Sequence, residues 1–221
     1  MNKIEVVNLS HFYQDGMKMK KVLDNVSCSF ESGKFYSILG QSGSGKTTLL
    51  SLLSGLDTIE EGDILYNGES IKKIGYNKYR NSYVNIIFQS YNLIPYMTAY
   101  ENVEVALDIA GIKLSKEDKK EKILSTLNEL GIDNSAAFRT VLKLSGGEQQ
   151  RVAIARCLVT DIPFIMADEP TGNLDEDTEK KIIDIFKKLA KQGKGVIVVT
   201  HSKELAESSD KIYHIKGGGV Y

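Results

Sequence analysis

Gly40-Gln41-Ser42-Gly43-Ser44-Gly45-Lys46-Thr47 stands between an apolar run, Phe35-Tyr36-Ser37-Ile38-Leu39, and a leucine-rich segment, Thr48-Leu49-Leu50-Ser51-Leu52-Leu53. A strand, a glycine-rich turn and a helix in that order form the setting in which G-x-x-x-x-G-K-[ST] acts as a phosphate loop. Gly40, Gly43 and Gly45 give the backbone conformations that a side chain would forbid. The amide N–H groups then converge on phosphate oxygens at a helix N-terminus, where the macrodipole also favours an anion. Lys46 is expected to reach the β- and γ-phosphates and the Thr47 hydroxyl to join a Mg²⁺ shell. Gln41, Ser42, Ser44 and Thr48 complete the expected nucleotide contacts. A Gly/Ser loop that merely turned the chain would not need Lys-Thr at its end.

The chain has 221 residues, enough for one large domain with a substantial core. Lys+Arg 28 against Asp+Glu 29 leaves a net charge of -1, so no general attraction to nucleic acid is expected. Cys28 and Cys157 have no metal-site or C-x-x-C spacing, as in a protein of the reducing cytosol. The first residues, Met1 to Asn8, are interrupted by polar groups before a signal-like apolar core forms. No run approaches the apolar length of a membrane span, so any work at a membrane calls for a second chain to cross it.

Around the phosphate loop the pattern alternates strands and helices. Ile4 to Phe12 and Val22 to Phe30 read as strands joined by a turn at Gln14-Asp15-Gly16. Gly62 to Tyr66 is a strand ending in an Asn67-Gly68 hairpin turn, and Val84 to Phe88 is another strand. From Thr98 to about Gly131 the pattern is helical, with Lys116 to Lys122 alternating in charge as a solvated face does. A helix starts at Ser145 as N-cap. Ile162 to Ala167, Val196 to Thr200 and Lys211 to Ile215 are short strands. Glu176 to Gln192 is a helix with an acidic first turn; Ile182, Ile183, Phe186, Leu189 and Ala190 share one face, and Gly193 closes it. The fold class is therefore α/β, with a mostly parallel sheet that takes ligands at its carboxyl edge.

Two further stations carry chemistry. The strand Phe164-Ile165-Met166-Ala167 ends in Asp168-Glu169. Downstream of a phosphate loop, such an Asp holds Mg²⁺ directly or through water, and Glu169 is placed to deprotonate the water that attacks the γ-phosphorus. Leu144-Ser145-Gly146-Gly147-Glu148-Gln149-Gln150-Arg151 is a second helix start with bare glycine amides and a hydroxyl. One phosphate chain hardly needs two cradles. Two copies paired head-to-tail, each cradle closing on the nucleotide of the other, would use both.

At this point the sequence resembles the ATP-binding cassette (ABC) family, whose signature is this Leu-Ser-Gly-Gly-x-Gln sequence. The resemblance covers essentially the whole chain. It implies a P-loop core, an N-terminal antiparallel β subdomain and an inserted α-helical subdomain at about 93–158, together one nucleotide-binding domain over 1–221. It also implies that Ser145, Gly146, Gly147 and Glu148 contact a partner's ATP. By the same resemblance Gln89 matches the glutamine that senses Mg²⁺ and the γ-phosphate. Asp175, in Thr171-Gly172-Asn173-Leu174-Asp175, matches the loop that communicates across the dimer, and His201 matches the switch histidine at the γ-phosphate. Tyr13 lies where the family stacks an aromatic ring on adenine, with Phe12 beside it. The stretches Phe88 to Pro95 and Ala167 to Asp175 look most like the branch of macrolide-export, lipoprotein-release, antimicrobial-peptide-resistance and cell-division cassettes. That branch implies an ATPase subunit at the inner face of the membrane, bound to a separate permease that moves a peptide, lipoprotein or drug. A cell-division-type module that signals through its membrane partner without moving substrate has the same stations. A DNA-repair ATPase head would carry a long coiled coil or zinc module between Lys46 and Ser145, and neither heptads nor Cys pairs occur there.

Overall fold

The computed structural model describes residues 1–15, 18–172 and 174–221. Gly16 of the first expected turn and Asn173 of the motif before Asp175 therefore lie outside the described residues. The chain opens with β1 (Lys3–Asp15) and β2 (Lys18–Glu31), an antiparallel pair with register shifts between Val6 and Phe12. Both strands run further toward the turn than the sequence pattern indicates. Then come β3 (Phe35–Leu39), α1 (Lys46–Leu53) and the hairpin of β4 (Glu61–Tyr66) and β5 (Glu69–Ser70). Two short helices, α2 (Ile71–Ile74) and α3 (Tyr76–Ser82), lead into β6 (Val84–Ile87).

The hairpin turn is built as Asn-Gly predicts: Asn67 has φ 50° and Gly68 φ 83°, and Tyr66 pairs with Glu69. A Cβ on Gly68 would meet nothing within 4 Å, so only backbone strain opposes it. Gly68→Ala is expected to cost about 1 kcal/mol. The change should appear as a lower urea midpoint with an unchanged slope, and ATP hydrolysis should not move.

The stretch that reads as one helical pattern from Thr98 to Gly131 is two helices, α4 (Ala99–Ile109) and α5 (Lys116–Glu129). Gly111 turns the chain at φ 67°, and Ser115 starts α5 anew by accepting from the Asp118 N–H. The charged run of α5 is solvent-facing except at the half-buried Lys119 and Lys122, and Lys119 reaches Asp108 (2.6 Å) and Glu104 (3.7 Å) on α4. After α6 (Asn134–Ala137), α7 (Gly146–Leu158) begins at its Ser145 N-cap. The remaining elements are β7 (Phe164–Asp168), α8 (Glu176–Lys191), β8 (Gly195–Thr200), α9 (Lys203–Glu207), β9 (Lys211–Lys216) and β10 (Gly219–Val220).

Two sheets result. The antiparallel one has the order β2-β1-β4-β5; the other has the order β10-β9-β3-β8-β7-β6 and is parallel except for the edge strand β10. The central parallel strands β3, β7 and β8 are almost wholly apolar because both their faces are covered, whereas β9, nearer the edge, alternates exposed and buried residues. Their period of two deals side chains alternately to two cores. Phe35, Ile165, Val196 and Val198 face a core with α4, α5, α7 and α8. Tyr36, Ile38, Met166, Ile197 and Val199 face a core with α1 and the antiparallel sheet. All six residues of β8 are buried. The five apolar residues assigned to one face of α8 are all buried, and Gly193 at φ 94° ends that helix. This sandwich fixes the carboxyl ends of β3, β7 and β8 side by side.

Candidate active site

The phosphate loop leaves β3 and enters α1 at that carboxyl edge. Gly40 has no room for a side chain: a Cβ would lie 2.5 Å from Ile215 Cγ2 and 2.7 Å from the Ile215 carbonyl oxygen. Gly45 takes φ 102°, and a Cβ there would press on Leu23 and the Val22 carbonyl at 3.0 Å. As N-cap of α1, Gly45 offers no side-chain acceptor, so the first-turn amides stay available to an anion.

Lys46 is only 6% exposed. Its Nζ donates to the carbonyls of Gly40 (2.8 Å) and Gln41 (3.0 Å) and lies 3.2 Å from His201 Nε2. Burial pulls its pKa below the usual lysine range, while the nearby Glu169 and Asp168 carboxylates oppose that shift. Thr47, the next residue, donates from Oγ1 to Asp168 Oδ1 at 3.4 Å. Burial likewise pushes the Asp168 carboxyl above its ordinary range, against the Thr47 hydrogen bond and the Lys46 charge.

Glu169 sits just past β7 at φ 45°, a left-handed conformation uncommon for a side chain of this type. Its N–H donates to the Val199 carbonyl (2.9 Å), which extends the β7–β8 pairing by one residue. Its Oε2 accepts from the His201 N–H at 3.1 Å. Oε1 lies 3.1 Å from His201 Nε2, an ion-pair distance without the alignment of a hydrogen bond, so it is a buried oxygen with no hydrogen-bond partner. Such an oxygen invites a donor from a ligand or water. Burial raises the Glu169 pKa, and the His201 and Lys46 charges counter it.

Gly40, Gln41 and Ser44 line a hollow beside Ile215. Gly45, Lys46, Thr47, Asp168, Glu169 and His201 line one adjoining cleft of about 760 Å³, which also takes in Ser42, Gly43, Thr48 and Gln89. Sequence reasoning missed Val22, Thr171, Thr200 and Ser202 on its wall. Thr200 and Ser202 flank His201 and were within reach of a motif reading; Val22 arrives from a distant strand and leaves no local signal. Tyr13 is 44% exposed, sits edge-on to His11 at 4.8 Å and does not line this cleft.

The second cradle is separate. Ser145, Gly146, Gly147, Glu148 and Asp175 are absent from the lining of the Lys46 cleft. Ser145 caps α7 in a capping box: its Oγ and its N–H both donate to Glu148 Oε2 at 2.8 Å, and the Glu148 N–H donates back to Oγ (3.3 Å). Asp175 caps α8 by accepting from the Thr178 N–H (3.0 Å). The two helix starts abut, because a Cβ on Gly147 would fall 2.5 Å from Thr178 Cγ2.

A family model described as ABC transporter matches residues 23–172, which contain the phosphate loop, the second cradle and the Asp168-Glu169 pair. The chain belongs to this ABC transporter family. YclH of Bacillus subtilis, an uncharacterized ABC transporter ATP-binding protein, is 49% identical over 212 residues, spanning 95% of this cassette and 92% of YclH. The macrolide export ATP-binding/permease protein MacB of Mannheimia succiniciproducens is 37% identical over 223 residues, all of this cassette but 34% of MacB. MJ0796 of Methanocaldococcus jannaschii is 38% identical over 223 residues, 98% of this cassette and 94% of MJ0796. Its dimeric cassette structure superposes with a TM-score of 0.90 at 37% identity, covering 98% of this chain and 96% of that one. A dimeric post-hydrolysis MJ0796 structure bound to ADP and Pi superposes equally well, at a TM-score of 0.90. The present cassette is thus an ABC ATPase, an ATP-binding subunit with the α/β cassette fold. No helix among its described residues is long and apolar enough to cross a membrane.

Proposed function

We propose that this chain is the motor of a membrane transporter and works as a head-to-tail dimer around two Mg-ATP molecules. The observation that carries this reading is the separation of the two cradles: the phosphate loop and Ser145-Gly146-Gly147 do not share a cleft. The dimeric state of MJ0796 supports the same arrangement. Residues 1–221 form one nucleotide-binding domain, in which 93–158 is a helical subdomain.

In each composite site Lys46, the loop from Gly40 to Gly45, and Thr48 hold the triphosphate of one chain's nucleotide, with Tyr13 against the adenine. Ser145, Gly146 and Gly147 of the twin close over it, and Glu148 must release the Ser145 hydroxyl when they do. Asp175 belongs to the same closing surface. Glu169 accepts the proton of the attacking water at its unpartnered Oε1, and His201 orients that carboxylate. The Thr47 hydroxyl, the Asp168 carboxylate and the Gln89 amide form a hard oxygen set with a single carboxylate, which suits Mg²⁺ completed by phosphates and water better than an all-protein cage. Bound there, Mg²⁺ neutralises charge on the phosphate oxygens.

The permease is a separate chain at the inner face of the membrane, and the surface from Asn92 to Tyr100 and the helices beyond it face that partner. Between α4 and β6 lies a groove of about 370 Å³ with Ile94, Val105 and Ile109 on its wall, and Ile109 is 72% exposed. An apolar segment of a membrane subunit fits such a wall. Ile109→Asp is expected to leave basal ATPase within about twofold and to cut recovery of the co-purifying membrane subunit about tenfold or more. Loss of ATP binding in that variant, with the subunit still attached, would remove the groove from the partner interface.

A further inference from the structure

Two residues after Gln89 the backbone does something costly. Tyr91 and Asn92 are consecutive non-glycine residues with φ 60° and 46°, a pairing that persists only where its surroundings hold it. Within the loop the Asn92 N–H donates to the Ser90 carbonyl and the Ser90 hydroxyl to Asn92 Oδ1, both at 2.7 Å. From outside it, Arg156 on α7 donates through Nη2 to the Tyr91 carbonyl (3.1 Å) and through Nη1 to the Asn92 carbonyl (2.6 Å). A planar guanidinium suits this two-pronged grip, and a lysine does not. The Tyr91 side chain packs against the helical core, and its hydroxyl lies 3.5 Å from where a Cβ on Gly146 would be. The loop behind Gln89 is thus tied to α7 twice, at Arg156 and at the start of the helix. Arg156 stands about 15 Å along the helix from Gly146.

We propose that Arg156 and Tyr91 are positioning residues that lock the Gln89 loop and the Ser145 helix start into one body. The lock links the nucleotide cleft of a subunit to the cradle that the same subunit offers its twin. This inference rests on the composite-site reading above. Gln89 faces its own chain's nucleotide, and Ser145 faces the partner's. With the clamp in place, filling the first aims the second. Without it, the left-handed pair relaxes and the two drift independently, although the nucleotide contacts of each chain remain whole.

The test uses full-length chain carrying Glu169→Gln, read in two ways. Size-exclusion chromatography gives the ATP concentration for half-maximal dimer; a fluorescent ATP analogue titrated at low protein gives the affinity of the monomer. Adding Arg156→Ala is expected to raise the ATP requirement for dimer about tenfold while monomer affinity stays within about twofold. Arg156→Lys, which keeps charge and stem, is expected to show the same direction and serves if the alanine variant is insoluble. Asn92→Gly with Arg156 in place is expected to leave both readouts within about twofold, because the guanidinium still grips both carbonyls and glycine accepts the left-handed conformation. A merely structural role for Arg156 predicts that monomer affinity and dimer formation fall together. An unchanged ATP requirement in Arg156→Ala, a parallel fall in monomer affinity, or about a tenfold rise with Asn92→Gly alone overturns the clamp. A Glu169→Gln chain that stays monomeric in ATP overturns instead the composite-site reading beneath it.

Discussion

Glu169→Gln is expected to bind ATP as the parent does, to lose turnover by about two to four orders of magnitude, and to accumulate as an ATP-bound dimer. The amide preserves the shape that meets the His201 N–H at 3.1 Å and removes the basic oxygen. Nothing else among the described cleft residues stands ready to replace it. Asp168 is occupied by the Thr47 hydroxyl, Glu179 accepts from the Thr171 hydroxyl (2.9 Å), and His201 lies between Lys46 and Glu169. Because burial already raises the Glu169 pKa, the parent carboxylate is a stronger base than an exposed glutamate, which widens the gap to the amide. Phosphate release measured under single-turnover conditions, with dimer followed by chromatography, checks both halves. Hydrolysis at the parental rate would strip Glu169 of its role.

Lys46→Ala is expected to weaken ATP binding about a hundredfold or more, the loss of a buried charge-assisted contact to phosphate. The ammonium does two jobs in the free chain. It ties the carbonyls of Gly40 and Gln41, so the loop is shaped before nucleotide arrives, and it supplies positive charge where burial makes Coulombic attraction strong. Alanine removes both. Calorimetric titration reads the affinity, and an unchanged circular dichroism spectrum and urea midpoint show that α1 and the sheet survive. Affinity close to the parent's would mean that the loop amides alone hold the triphosphate.

Much of this architecture was legible because chemistry and local structure coincide in the same residues. Ser145 signals a helix start whatever it contacts, and it caps α7; Asp175, expected only at a dimer contact, caps α8 as well. Asn67-Gly68 dictates its turn, and the apolar runs of β3, β7 and β8 announce strands buried on both faces. The break between α4 and α5 was harder to see, because Gly111 interrupts a pattern whose polar-apolar period barely changes across it. Contacts made at long range left no sequence signal at all. Val22 reaches the cleft because β2 folds back over Gly45, and Arg156 finds the carbonyls of Tyr91 and Asn92 only once α7 lies beside that loop. The inward turn of Glu148 onto Ser145 follows from the Ser-x-x-Glu spacing.

The order of strands in the parallel sheet governs how this chain comes into being. β3, which feeds the phosphate loop, pairs on one side with β8 (Phe35 opposite Val196) and on the other with β9 (Tyr36 opposite Lys211). During synthesis the ribosome must deliver the chain as far as β8 before that early strand finds either neighbour. Until then an apolar ribbon waits with both margins open, a vulnerable interval for self-association and a natural client for chaperones. A message cut short upstream of β8 therefore leaves β3 with neither neighbour, a sticky fragment rather than part of an ATPase.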